Sequence, residues 1–115
     1  MEMIGAAVVE ALGALAQEHR LELFRLLVQA GEHGLAAGRI AEALGVPNSS
    51  LSFHLAQLAR AGLIRQERQS RSLIYSADYQ AMNSLVGYLM ENCCGGADCS
   101  TSACDPEQAQ ERKRA

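Results

Sequence analysis

Residues 37–64, AGRIAEALGVPNSSLSFHLAQLARAGLI, decide the fold. They read as two short helices around a tight break. Ala37 to Leu44 turns Ile40 and Leu44 inward, Gly45-Val46-Pro47 interrupts, and Asn48 to Ala61 resumes the helical pattern. Gly45 can adopt the left-handed conformation that closes a helix, and Pro47 with Asn48 suits the first turn of the next. Two helices joined by a glycine-containing turn make a helix-turn-helix. In the second helix Leu51, Leu55 and Leu58 share one face and define a buried stripe. Rotation by about 100° per residue puts Ser49, Ser52, Phe53, Ala56 and Arg60 on the opposite face, with Asn48 and Gln57 at its flanks. A solvated surface helix is usually studded with Glu and Lys. This one carries neither, and its short, polar surface is almost free of acid, as a helix entering a DNA major groove requires.

Downstream of Gly62 the period changes. Residues 63–68 and 71–76 read as two short strands around a polar tip at Gln69-Ser70, a hairpin whose tip lacks the Asn-Gly or Asp-Gly of the tightest turns. A hairpin bearing arginines directly after a recognition helix is a wing, and its Arg68 and Arg71 are placed to meet phosphate or the minor groove. Asp78 is the expected N-cap of a last helix with Tyr79, Met82, Leu85, Val86, Leu89 and Met90 on an apolar face. Cys93 is expected to continue that face, and Gly95-Gly96 to end the helix. Upstream, Ile4, Val8, Leu12 and Leu15 predict a helix over residues 4–16. A second helix follows over 19–31, with Leu23, Phe24, Leu26 and Leu27 inward and Gly31 and Gly34 bracketing the loop that ends it. The fold class is thus mainly α with a small β-hairpin, a winged helix-turn-helix in the order α-α-α-α-β-β-α. An apolar terminal helix of this kind often packs on a partner subunit.

The 115 residues suit one compact domain, here 1–94, followed by a flexible cysteine-containing tail over 95–115. A net charge of -3 argues against nucleic acid until it is divided along the chain. Residues 1–59 carry three arginines against six glutamates, whereas residues 60–71 carry Arg60, Arg65, Arg68 and Arg71 against Glu67 alone. Because screening confines each charge to roughly 10 Å, that basic centre can dock phosphate on an acidic protein. No stretch reaches the about 20 apolar residues of a membrane span, and the apolar N-terminus lacks a basic flank, so a cytoplasmic protein is expected. All four cysteines fall between positions 93 and 104, too close together to staple a secreted fold. In a reducing compartment they are thiols or metal ligands.

The run from Ile40 through Ser76, with NSSLSFHLAQLARAGLI and RSLIYS, resembles the ArsR/SmtB family of metal-responsive winged-helix repressors over roughly residues 6–94. The resemblance implies a homodimer, held by the first and last helices, that binds palindromic operator DNA without metal or any other cofactor and leaves it when metal binds. It places Asn48, Ser49, Ser52 and Phe53 at the bases and nearby phosphates, beside Gln57 and Arg60. Phe53 stands where a histidine or polar residue is common, and its edge could meet a thymine methyl. His54 matches a common family histidine and is read as a packing residue with a hydrogen bond.

Two of the family's sensor sites have no counterpart here. The segment Ala36-Ala37-Gly38-Arg39-Ile40 lacks the paired cysteines of one type, and no histidine lies between Asp78 and Cys94 for the zinc type. ENCCGG instead resembles an arsenic-responsive branch with two adjacent cysteines and a third downstream. By that resemblance, Cys93 and Cys94 with Cys99, or Cys104 as the alternative third ligand, hold As(III) or Sb(III) as inducer. Soft thiolates select soft centres, and the shorter loop favours Cys99. Tetrahedral Zn(II) or Cd(II) on four thiolates is the alternative, although a C-x2-C knuckle suits it better than adjacent cysteines. Thiol redox sensing is a further alternative, disfavoured by Glu91 and by the absence of an activating cation. A thiol enzyme would need a C-x-x-C or P-loop-like motif, and neither is present.

Overall fold

The computed structural model describes residues 5–96, in which the periodicities become α1 (Gly5–Leu15), α2 (Glu18–Ala30), β1 (Leu35–Ala36), α3 (Ala37–Leu44), α4 (Asn48–Arg60), β2 (Ile64–Gln69), β3 (Ser72–Ala77) and α5 (Tyr79–Met90). A 3-10 turn, Cys93–Gly96, follows α5. The expected start of the first helix at Ile4, and Cys99, Cys104 and nearly all of the 95–115 tail, lie outside the described residues. The winged helix-turn-helix and its element order are as expected, with one addition.

The break between α3 and α4 is built from two left-to-right constraints. Gly45 takes a φ of 67°, and its amide and that of Val46 donate to the Ala41 carbonyl at 2.8 and 3.3 Å. Pro47 is the N-cap of α4 and sits just before the first turn, with its carbonyl accepting from Leu51 N–H at 3.0 Å. The expected stripe is realised: Leu51, Leu55 and Leu58 are buried, and Leu51 and Leu58 join Leu23, Leu27, Ile40 and Leu63 as the fully buried centre of the core. Each such leucine contributes about 1.5–3 kcal/mol of apolar burial.

The addition is β1, which pairs antiparallel with β3 through Leu35 opposite Tyr75 and Ala36 opposite Ile74, so the sheet has the order β1-β3-β2. Gly34 permits it. Its φ is 67°, and a Cβ there would collide with the Tyr75 carbonyl. In the hairpin Gln69 pairs with Ser72 and Ile64 with Ala77, which puts the two-residue tip at Ser70-Arg71, one position beyond the expected Gln69-Ser70. Ser70 supplies the positive φ, 56°, that the tip needs.

Leu63 joins the two ends of the wing to their helices. Its amide donates to the Leu58 carbonyl at 3.1 Å, and its carbonyl accepts from the Asp78 amide at 2.8 Å. Asp78 caps α5 as expected, its Oδ1 accepting from Ala81 N–H at 3.0 Å. The Tyr79 hydroxyl donates to the Val28 carbonyl at 2.9 Å and ties α5 to α2.

The far end of α5 differs from expectation. The helix stops at Met90, Glu91 is extended with ψ 127°, and Asn92 takes a φ of 58°. Asn is the side chain that best tolerates the left-handed region after glycine, so it ends the helix before Gly95-Gly96 can. Cys93 therefore does not continue the helical face, and Cys93 and Cys94 lie on the separate 3-10 turn. Nor is that face uniform: Leu85 is buried, Tyr79 and Met82 pack against the core, but Val86 and Leu89 point outward.

Candidate nucleic-acid interface and cysteine turn

α4 turns toward solvent the side chains that its period assigns there. Asn48, Ser49, Ser52, Phe53, Ala56 and Arg60 are exposed and Gln57 is half-buried, while Leu51, His54, Leu55 and Leu58 face the core. No side chain caps the helix start, so the first amides of α4 are open to an acceptor such as a phosphate oxygen. The whole face carries donors and one cation and no carboxylate.

The wing adds a second basic element. Gln66 opposite Tyr75 and Arg68 opposite Leu73 share one face of the hairpin, while Arg65 and Glu67 belong to the other. Arg68 and Arg71 consequently border the same hollow, about 340 Å³, together with Leu73, Tyr75 and the start of α3 at Ala37 and Gly38. The structure thus brings Arg68 and Arg71 together beside the helix-turn-helix. Sequence reasoning missed Ala37 and Gly38, which become neighbours of the wing only through the β1 pairing.

His54 is 9% exposed, and its Nδ1 has no hydrogen-bond partner. The packing expected of it is present; the hydrogen bond expected of it is absent at Nδ1. The His19 imidazole lies 5.7 Å away centroid to centroid, and Phe53 meets His54 edge-on at 5.9 Å. Burial lowers the His54 pKa below 6.5, and the charges of His19 and Arg20 lower it further, so the imidazole is neutral at pH 7. The His19 contact had no signal in the sequence, since it joins α2 to α4.

Cys93 is half-buried on the 3-10 turn beside the backbone of Cys94. Among the described residues no three His, Cys, Asp or Glu side chains come together as a metal site. Adjacent to the turn, α5 exposes Val86, Tyr88 and Leu89, and α1, which packs against α5, exposes Val9 and Leu12. Leu89 is 59% and Val9 70% exposed, values that leave an apolar strip across both terminal helices. Among the described residues no helix is long and apolar enough to cross a membrane.

A helix-turn-helix domain model matches residues 15–67, the span from the end of α1 into β2. The HTH-type transcriptional regulator YgaV of Escherichia coli is 30% identical over 79 residues, 69% of this chain and 80% of that protein. The structure of HlyU from Vibrio cholerae superposes with a TM-score of 0.61 at 32% identity, over 77% of this chain and 97% of HlyU. A homodimeric winged helix-turn-helix DNA-binding domain from Mycobacterium bovis, described as a possible ArsR-family regulator, gives a TM-score of 0.60 at 25% identity, covering 81% of this chain and 86% of that one. These relatives are regulators and not enzymes. With the fold, the polar outer face of α4 and the arginine-bearing wing in place, the chain belongs to the ArsR/SmtB family of winged helix-turn-helix DNA-binding transcriptional regulators.

Proposed function

We propose that the chain is an arsenite- or antimonite-responsive repressor, which binds a palindromic operator as a metal-free homodimer and releases it when As(III) or Sb(III) binds Cys93, Cys94 and a third cysteine, Cys99 or Cys104. The observation that carries this reading is the position of the vicinal cysteines. They occupy a turn immediately beyond the part of α5 that exposes Leu89, so a ligand closing on them acts next to the apolar strip of α1 and α5. That strip is the surface offered to a second copy, and the Mycobacterium bovis relative is a homodimer. Three thiolates in a pyramid suit a trivalent centre with a lone pair, and thiolate softness selects it over hard cations. A third thiolate closing on that edge would change how two copies pack and hence the spacing of their two α4 helices.

Fluorescence anisotropy of the reduced protein on a palindromic operator fragment tests it, with titrations of arsenite, antimonite, Zn(II), Cd(II) and hydrogen peroxide. Release by arsenite, lost in Cys93→Ser and Cys94→Ser, is expected. Release by Zn(II) alone, or an unchanged response in both variants, overturns the metalloid reading. Peroxide-driven release would assign the thiols to redox sensing. A promoter fusion whose output falls on arsenite addition would overturn the repressor assignment; HlyU, among the relatives, is a transcriptional activator.

A further inference from the structure

Phe53 is the anomaly of the reading face. It is 57% exposed in the middle of α4, one turn from Ser49 on one side and from Gln57 on the other. Its helical neighbours on that face are Ser49, Ser52, Ala56 and Arg60. A single ring rimmed by small polar groups and an arginine is too small an apolar patch for a protein partner. It is also held in place. The ring meets the buried His54 edge-on at 5.9 Å and 63°, so one part of it is in contact while more than half of the side chain stays open to solvent.

We infer that Phe53 reads a thymine through its C5-methyl. This rests on α4 entering the major groove, and it names which base that helix selects. The thymine methyl is the one apolar group that the base edges present in that groove. A phenylalanine has no donor or acceptor with which to read any other edge. Ser49 and Gln57, one turn to either side, supply hydrogen bonds to flanking base edges or phosphates, while Phe53 discriminates against any base pair that lacks the methyl. The signal is therefore the methyl itself and not the hydrogen-bonding pattern of the A·T pair.

The test is a methyl-deletion cycle. A duplex is selected by the full chain from a random-sequence pool, and each thymine is then replaced in turn by deoxyuridine, which removes only the methyl. Anisotropy titration at fixed salt is expected to show one position in each half-site at which deoxyuridine weakens wild-type binding about 3–10-fold, the effect of losing one methyl from an apolar contact. Phe53→Ala should bind the two duplexes equally, and Phe53→Leu, which keeps an apolar side chain, should retain part of the discrimination. Because Phe53 is largely exposed, both variants should melt like the wild type, and a matching circular-dichroism melt checks this. An unchanged deoxyuridine penalty in Phe53→Ala, or no thymine position sensitive in the wild type, overturns the thymine reading while leaving groove docking intact. Failure of the pool to yield any bound sequence overturns both.

Discussion

The imidazole of His54 lies 5.7 Å from that of His19, with its Nδ1 buried and unpaired, so the reading helix rests on a histidine that is costly to charge. The folded pKa is lowered below 6.5, first by burial and then by the charges of His19 and Arg20. The unfolded chain therefore binds a proton at His54 that the folded chain refuses. Stability is unaffected by His54 well above pH 6.5 and falls as pH drops through 6.5, until the folded pKa is reached. Denaturant midpoints between pH 7.5 and 5.5 should decline more steeply for wild type than for His54→Gln. His19→Gln should give an intermediate slope, since it removes one of the charges that depress His54. Equal slopes for wild type and His54→Gln would contradict this account.

Gly34 should not tolerate a side chain. Gly34→Ala would place a Cβ against the Tyr75 carbonyl and force a non-glycine residue to a φ of 67°. The left-handed conformation alone costs about 1–2 kcal/mol, and the collision adds to it by opening the β1 pairing. Urea unfolding should show a loss of at least about 2 kcal/mol. Gly38→Ala, in a helix with open space at its Cβ, should be neutral or slightly stabilising by the same measurement.

The wing arginines should act on phosphate and not on sequence. Arg68→Gln and Arg71→Gln are each expected to weaken binding to all duplexes alike. Each should reduce the slope of log K against log salt by about 1.8 in the proposed dimer, as one lost phosphate contact per copy requires. A variant that loses affinity for one sequence only, with the slope unchanged, would show that the arginine reads a base.

Core and surface leucines should separate cleanly. Leu58→Ala, at a fully buried position, should cost about 2–5 kcal/mol in unfolding. Leu89→Glu, at a 59% exposed position, should leave the fold of each copy intact but split the proposed dimer, seen as a halved mass by light scattering and a weakened affinity for palindromic DNA. An unaltered mass would remove the α1 and α5 strip from the dimer interface.

The elements that strong periodicity marks were legible in the sequence. The Leu51, Leu55 and Leu58 stripe and the opposite polar face of α4 emerged as expected because offsets of four and three residues on a helix fix which way each side chain points. The Asp78 cap was equally plain, since an aspartate directly before an apolar helical run has one local use. β1 was not legible: two residues carry no period, and Leu35-Ala36 is a strand only because Tyr75 and Ile74 lie beside it. The end of α5 was misplaced because Asn92 and Gly95 can both take the left-handed region, and nothing local ranks the first above the second. Along α1 and α5, periodicity marked apolar faces without separating Val8 and Leu85, which enter the core, from Leu12 and Leu89, which do not. The candidate site divided the same way. Its DNA face followed from one helix, whereas the hollow shared by Arg68, Arg71 and Gly38 and the His19–His54 contact join distant segments.

Leu63 gives the molecule a fulcrum. Its amide bonds to α4 at the Leu58 carbonyl, its carbonyl bonds to Asp78, the cap of α5, and Tyr79 pins the same end of α5 to α2. The twelve residues of α5 extend from that pivot for about 18 Å, with the cysteine turn at the opposite tip. The proposed thiol site therefore stands at the far end of α5 from the junction that Leu63 makes with α4.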